Sequence, residues 1–284
     1  MRADWRGLEV GEVIFVKLGG SLITDKRRAR TAREDTIFRL AREVAEAGPR
    51  SEASILIGHG SGSFGHEAAA RAGIQGGLRG DPEQLLGVSQ TQEEASVLHN
   101  LVRRAFVATG LPVFSLAPSS LLVTDCGRSY AVSSEALLGA LRAGLLPLVY
   151  GDVVMDRRQG AAICSTEQVL SAFAECLTQA GAHVRELVWL GETAGVYGAD
   201  GETLRELRPG AAVVELLGAV GGASGTDVTG GMRLRVETAL ALAGKGIPSL
   251  IADGRVPGLL RRALLGEVVE GTRVLAATRD KVMP

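Results

Sequence analysis

Short, largely apolar runs closed by glycine recur along this chain, and they constrain its architecture more than any other feature. They fall at residues 13–16, 54–57, 112–115, 146–150, 187–190 and 249–251. Runs of this length that lack alternation read as strands buried on both faces, the habit of parallel sheets. Between them, residues 33–47 place Ile37, Leu40, Ala41 and Val44 at helical spacing, and residues 94–109 do the same with Leu98, Leu101, Val102 and Ala105. Further helices are predicted over 133–143, 167–180 and 233–245. Strand alternating with helix predicts an α/β chain, a mainly parallel sheet with helices on both faces.

A length of 284 residues allows one large core or two fused lobes. With 31 basic against 32 acidic residues and a net charge of -1, the chain has no surface of the kind nucleic acid demands. The cysteines, Cys126, Cys164 and Cys176, match neither a zinc pattern nor a disulfide framework, so they read as reduced thiols and no metal-ligating residue is assigned. Nothing reaches the 18 or so apolar residues of a membrane span, and no leader pattern opens the chain. The expectation is a cytoplasmic protein with no nucleic-acid or membrane partner. Lysines occur only at 17, 26, 245 and 281, which draws notice to each, since a compact ammonium is not interchangeable with guanidinium.

Three glycine-rich segments carry the chemistry. The first, Val16-Lys17-Leu18-Gly19-Gly20-Ser21, follows a strand directly. Paired glycines let backbone N–H groups approach an anion, and Lys17 can neutralise phosphate charge. Taken alone, such a pair also makes a plain turn. The second, Gly58-His59-Gly60-Ser61-Gly62-Ser63-Phe64-Gly65-His66, holds four glycines and two of the four histidines before an Ala-rich stretch. A helix start loaded with small residues is an anion site, and His66 is placed to donate to a phosphate oxygen. His59 has two readings, a functional group or a buried ring satisfying backbone. The third, Gly225-Thr226-Asp227-Val228-Thr229-Gly230-Gly231-Met232, opens a helix from whose first turn Arg235 would reach the same anion. Its alternative is a flexible loop before a capped helix. Together the three predict an extended polyphosphate site.

These segments, in this order, resemble the amino acid kinase superfamily and, within it, the isopentenyl phosphate kinases. The resemblance spans residues 13–272 and includes Asp25-Lys26, Gly151-Asp152-Val153-Val154 and Ala263-Leu264-Leu265-Gly266-Glu267 before Gly271-Thr272. The Gly-Lys-Ser/Thr signature of P-loop kinases is absent. The resemblance implies a three-layer αβα sandwich in two lobes, acceptor-binding over about 12–180 and nucleotide-binding over about 181–284. It implies transfer of the γ-phosphoryl of ATP to a small-molecule phosphate acceptor, isopentenyl phosphate, with Mg2+ bridging the β- and γ-phosphates. Lys17 and Lys26 would stabilise the transferred group, His66 would hold the acceptor phosphate, and Gly60, Ser61 and Gly62 would cradle both. Gly19, Gly20, Ser21, Gly230, Gly231 and Arg235 would line the ATP phosphates, and Thr166 would touch the acceptor. A homodimer is implied as well.

Departures from the family pattern are confined to three places. Ser165-Thr166-Glu167-Gln168 stands where Ser-Gly-Asp-Asp is usual, Glu192-Thr193-Ala194-Gly195 where Asp-Val-Asp-Gly is usual, and Arg235 where a lysine is usual. They keep two alternatives in view: a fosfomycin-type phosphonate kinase, and a nucleotide-binding regulator with weakened catalysis. For the acceptor's apolar tail, Leu85, Leu86, Val88 and Leu98 are candidate lining, or else ordinary core.

Overall fold

The structure, a computed structural model, describes residues 9–64, 73–198, 200–210 and 231–277. The first glycine-bounded run is strand β1 (Glu12–Leu18), and the second is β2 (Ser54–His59). They are followed by β3 (Val113–Ser115), β4 (Leu122–Asp125), β5 (Arg128–Val132), β6 (Leu146–Tyr150), β7 (Asp152–Asp156) and β8 (Gly160–Cys164). The C-terminal part adds β9 (His183–Gly191), β10 (Glu206–Leu207), β11 (Ser249–Asp253) and β12 (Thr272–Val274). An eight-stranded sheet runs in the order β10-β12-β11-β9-β1-β2-β6-β3, and among the described residues its one antiparallel pairing joins β11 to β12. Every apolar run predicted as a strand lies in this sheet, and β9 begins four residues before its predicted start.

Alternate residues of β1 explain why the sheet needs cover on both sides. Val13 and Phe15 join one core cluster with Leu170 and Phe173, while Ile14, Val16 and Leu18 join another with Ile37, Leu40 and Leu98. The helices that supply the rest are α1 (Gly20–Ile23), α2 (Glu34–Ala47), α3 (Pro82–Ala108), α4 (Glu135–Arg142), α5 (Thr166–Gln179), α6 (Gly231–Gly244) and α7 (Leu259–Leu264). Helices α4, α5 and α6 cover the first face, and α2, α3 and α7 the second. The result is the three-layer αβα sandwich.

Two elements differ from the sequence reading. Helix α3 begins at Pro82, twelve residues before the predicted 94, with Asp81 capping the Gln84 N–H at 2.8 Å. Its buried stripe over the extra turns is Gln84, Gly87 and Thr91, polar or small residues that leave no apolar periodicity to read. The second sheet, β5-β4-β7-β8, was not foreseen as a separate layer. Strand β5 is exposed along most of its length, and Asp156, the last residue of β7, anchors the sheet by accepting from Thr124 Oγ1 and the Gly127 and Gln159 N–H groups, each at 2.8 Å. Leu98, offered as tail lining, is core at 0 % exposure, and Val88 packs on Ile74, Val153 and Ala161, whereas Leu85 and Leu86 are exposed.

Candidate active site

Strands β1, β2 and β9 are adjacent and parallel, so the loops at their C-terminal ends are brought side by side. The Gly19 N–H donates to the Leu190 carbonyl at 2.9 Å and the Gly60 N–H to the Leu18 carbonyl at 3.0 Å, tying each loop to its neighbour's strand. Gly20 then lies directly on the second loop: a Cβ there would stand 2.5 Å from the Gly62 nitrogen. Gly62 has φ +53, a left-handed conformation, and a Cβ on it would strike Thr24 Oγ1 at 2.0 Å. Thr24, fully buried, completes the seam by donating to the Gly20 carbonyl at 2.7 Å and accepting from the Ser63 N–H at 3.0 Å. The first two predicted loops are therefore one surface of backbone.

Lys17, one residue before the end of β1, lies beneath this surface at 6 % exposure, and its Nζ donates to Glu167 Oε1 at 2.5 Å. Burial pulls the lysine below its ordinary range; the Glu167 carboxylate works against that, and the positive charges of Arg235 and Lys26 reinforce it. For Glu167, burial favours the neutral acid, but Lys17 and Arg235 outweigh it and hold the carboxyl below its usual value. The two directions are compatible because several cations face one carboxylate, so Glu167 is ionised and Lys17 has less than a full counter-charge.

Arg235, in α6 and 7 % exposed, brings its guanidinium to the same place: a Cβ on Gly191 would lie 2.6 Å from its Nη1, and one on Gly19 3.7 Å from its Nη2. Lys26 is exposed beyond α1, close enough for its charge to bear on Lys17. Ser21, in α1, and Ser61, in the second loop, are half-buried, and Gly231 opens α6. His66 and Gly230 lie outside the described residues, as does the rest of the third loop up to 230.

Thr166 is placed beneath the cradle, not facing it. It is 2 % exposed, donates its hydroxyl to the His59 carbonyl at 2.7 Å, and abuts Gly58 and Gly151, so it braces the end of β2. Its neighbours explain the departure Ser165-Thr166-Glu167-Gln168. Ser165 and Gln168 form a reciprocal capping box at the start of α5, at 3.2 and 2.8 Å, which frees Glu167 to turn toward Lys17. Glu167, to which the sequence reading assigns no role, thus places its carboxylate on Lys17. Its one signal was an acid in the first turn of a helix that follows a buried strand.

On the side of β9 and β11 the contacts are looser. Arg33 Nη1 donates to Glu192 Oε1 at 2.5 Å and Arg255 Nη2 to Asp253 Oδ2 at 2.6 Å, with side chains about one-third exposed in the first pair and unevenly exposed in the second. Among the described residues no group of three His, Cys, Asp or Glu is placed to hold a metal ion by itself. Among them, too, no helix is long and apolar enough to cross a membrane.

Comparison with known proteins agrees with this geometry. The amino acid kinase family model matches residues 12–253. The chain is 34% identical over 275 residues to the isopentenyl phosphate kinase of Methanothermobacter thermautotrophicus, covering 92% of this chain and 98% of that one. It is 30% identical to the isopentenyl phosphate kinase of Haloferax volcanii, with 88% and 98% covered. A solved isopentenyl phosphate kinase superposes with a TM-score of 0.75 at 31% identity, covering 92% of this chain and 99% of the other. Neither alternative reading is favoured by these relatives. The chain belongs to the amino acid kinase family, alongside its isopentenyl phosphate kinases.

Proposed function

We propose that this chain transfers the γ-phosphoryl group of ATP to isopentenyl phosphate, giving isopentenyl diphosphate and ADP. The observation that carries the proposal is the buried Lys17–Glu167 pair set under a seam of side-chain-free backbone, with Arg235 beside it. Such a site offers N–H dipoles and positive charge to phosphate groups while excluding side chains from the space they need.

The chemistry asks for little else. An acceptor phosphate oxygen attacks the γ-phosphorus, and the bond from that phosphorus to the β–γ bridging oxygen breaks. The nucleophile is already an anion, so no general base is required, and catalysis rests on alignment and charge stabilisation. Lys17, oriented by Glu167, and Lys26 would stabilise the group in transit. Gly60, Ser61, Gly62 and His66 would hold the acceptor phosphate. Gly19, Gly20, Ser21, Gly230, Gly231 and Arg235 would hold the nucleotide phosphates, and a Mg2+ ion bound with ATP would supply further neutralisation of phosphate charge. On this reading the lobe over about 12–180 takes the acceptor and the lobe over about 181–284 the nucleotide, in a cytoplasmic homodimer that serves isoprenoid precursor synthesis.

The deciding assay follows ADP release by the purified protein with Mg2+, ATP and either isopentenyl phosphate or fosfomycin. Turnover with the first acceptor is expected. ATP binding without ADP release for either acceptor would sink the kinase reading.

A further inference from the structure

Two histidines outside the proposed chemistry form a chain that ends on the phosphate cradle. His59 closes β2 and is 1 % exposed, and His99 lies in α3 at 5 % exposure. Their nearest ring nitrogens, His59 Nε2 and His99 Nδ1, are 3.1 Å apart. At one end His59 Nδ1 is 3.2 Å from the Gly60 carbonyl oxygen, and at the other His99 Nε2 is 2.5 Å from Ser115 Oγ in β3. Tyr150 of β6 closes the cluster, with ring centroids 4.3 Å from His99 and 5.8 Å from His59.

The direction of this chain follows from its end group. A carbonyl oxygen only accepts, so His59 Nδ1 must carry the proton. For a neutral ring, Nε2 is then an acceptor, which requires His99 Nδ1 to donate, and His99 Nε2 must in turn accept from the Ser115 hydroxyl. Burial, and the positive charges of Lys17 near His59 and Arg103 near His99, keep both rings neutral, pulled down to about 4 and about 3. The peptide between Gly60 and Ser61 is planar and trans, so a carbonyl held toward His59 leaves the Ser61 N–H on the side away from the histidines.

We propose that His99 is a positioning residue for the proposed phosphate-transfer site: with Ser115 it fixes the tautomer of His59, which anchors the Gly60 carbonyl and so sets the peptide that offers the Ser61 N–H to phosphate. The proposal rests on the reading of residues 60–62 as the acceptor cradle, but its structural half is testable without any substrate.

The first measurement is nitrogen NMR of the full chain labelled with 15N-histidine, at pH 7 and without ligands, using His99→Phe and His99→Asn for assignment. Both His59 and His99 are expected neutral with the proton on Nδ1. A protonated ring, or His59 with its proton on Nε2, overturns the proposal whatever the enzyme does. The second is kinetic. His99→Phe keeps the aromatic contact with Tyr150 and removes the donor, so kcat/KM for isopentenyl phosphate should fall roughly tenfold, the scale of one lost hydrogen bond to a buried group, while KM for ATP moves less than about twofold. His99→Asn, whose side-chain amide nitrogen can stand in for Nδ1–H, should recover most of the loss. Equal losses in the two variants would mean that His99 only fills space. Should His99→Phe fail to fold, Ser115→Ala on the exposed edge strand β3 removes the first donor. It should shift the ring nitrogens of both histidines, and an unchanged His59 signal would refute the relay.

Discussion

Where the loops after β1 and β2 meet, backbone lies against backbone and Lys17 is buried on Glu167; at the ends of β9 and β11, partly exposed ion pairs hold the same rim. The first side tolerates no added atom, because its neighbours are peptide groups that cannot step aside. The second is made of long side chains with solvent beside them, which can rearrange at little cost. A phosphoryl-transfer site needs rigidity at the reacting atoms and can leave the periphery adjustable, and the proposed assignment of the chemistry to the β1–β2 seam matches that contrast.

The largest effect should come from Lys17→Ala. A drop in kcat of about 10²–10³ is expected, the cost of removing one pre-set charge from a transition state, with KM for ATP less affected. Equal losses in kcat and in ATP affinity would move Lys17 to the nucleotide-binding periphery and break the comparison.

Acid should weaken the rigid side next. His59 and His99 sit at about 4 and about 3, below the ordinary 6.5, so the unfolded chain binds protons that the folded chain refuses. Their contribution is fully present above pH 6.5 and is lost as pH falls from 6.5 through about 4 for His59 and about 3 for His99, on the order of 3 kcal/mol for each ring by pH 4. Urea unfolding at pH 7.5 and 4.5 checks the sign, and His99→Asn should flatten the slope.

Gly20→Ala and Gly191→Ala test the contrast itself. The first would set a Cβ 2.5 Å from the Gly62 backbone nitrogen, the second 2.6 Å from Nη1 at the end of the Arg235 side chain. Gly20→Ala should cost about 1–3 kcal/mol of unfolding free energy together with most activity. Gly191→Ala should cost visibly less stability; matching values would show that the two sides are equally stiff. The smallest change is expected from Arg33→Ala or Glu192→Ala, below about 1 kcal/mol and shrinking further with added salt.

The eight-stranded sheet was legible because strands covered on both faces must be apolar at every position, which a single sequence displays openly. The small sheet was not, since β5 is exposed and the anchoring Asp156 works through backbone N–H groups that leave no pattern. The start of α3 was hidden for a related reason: Gln84, Gly87 and Thr91 bury a stripe without being apolar. In the site, glycine spacing displayed both loops beside Lys17, but the pairing of Glu167 with that lysine went unread, because nothing local separates an acid of a first helical turn from the partner of a distant cation.

By itself, the sequence determined the layered α/β architecture, the order of the glycine-rich loops and the lysine near the end of β1, all of which follow from local patterning and short-range spacing. Only the tertiary structure decided that Gly20 rests on Gly62, that Glu167 reaches Lys17 across 150 positions of sequence, and that His59 is coupled through His99 to Ser115. Those are contacts between different strands and helices, created by the parallel register of β1, β2 and β9, and no local signal in the chain encodes which distant side chain will complete them.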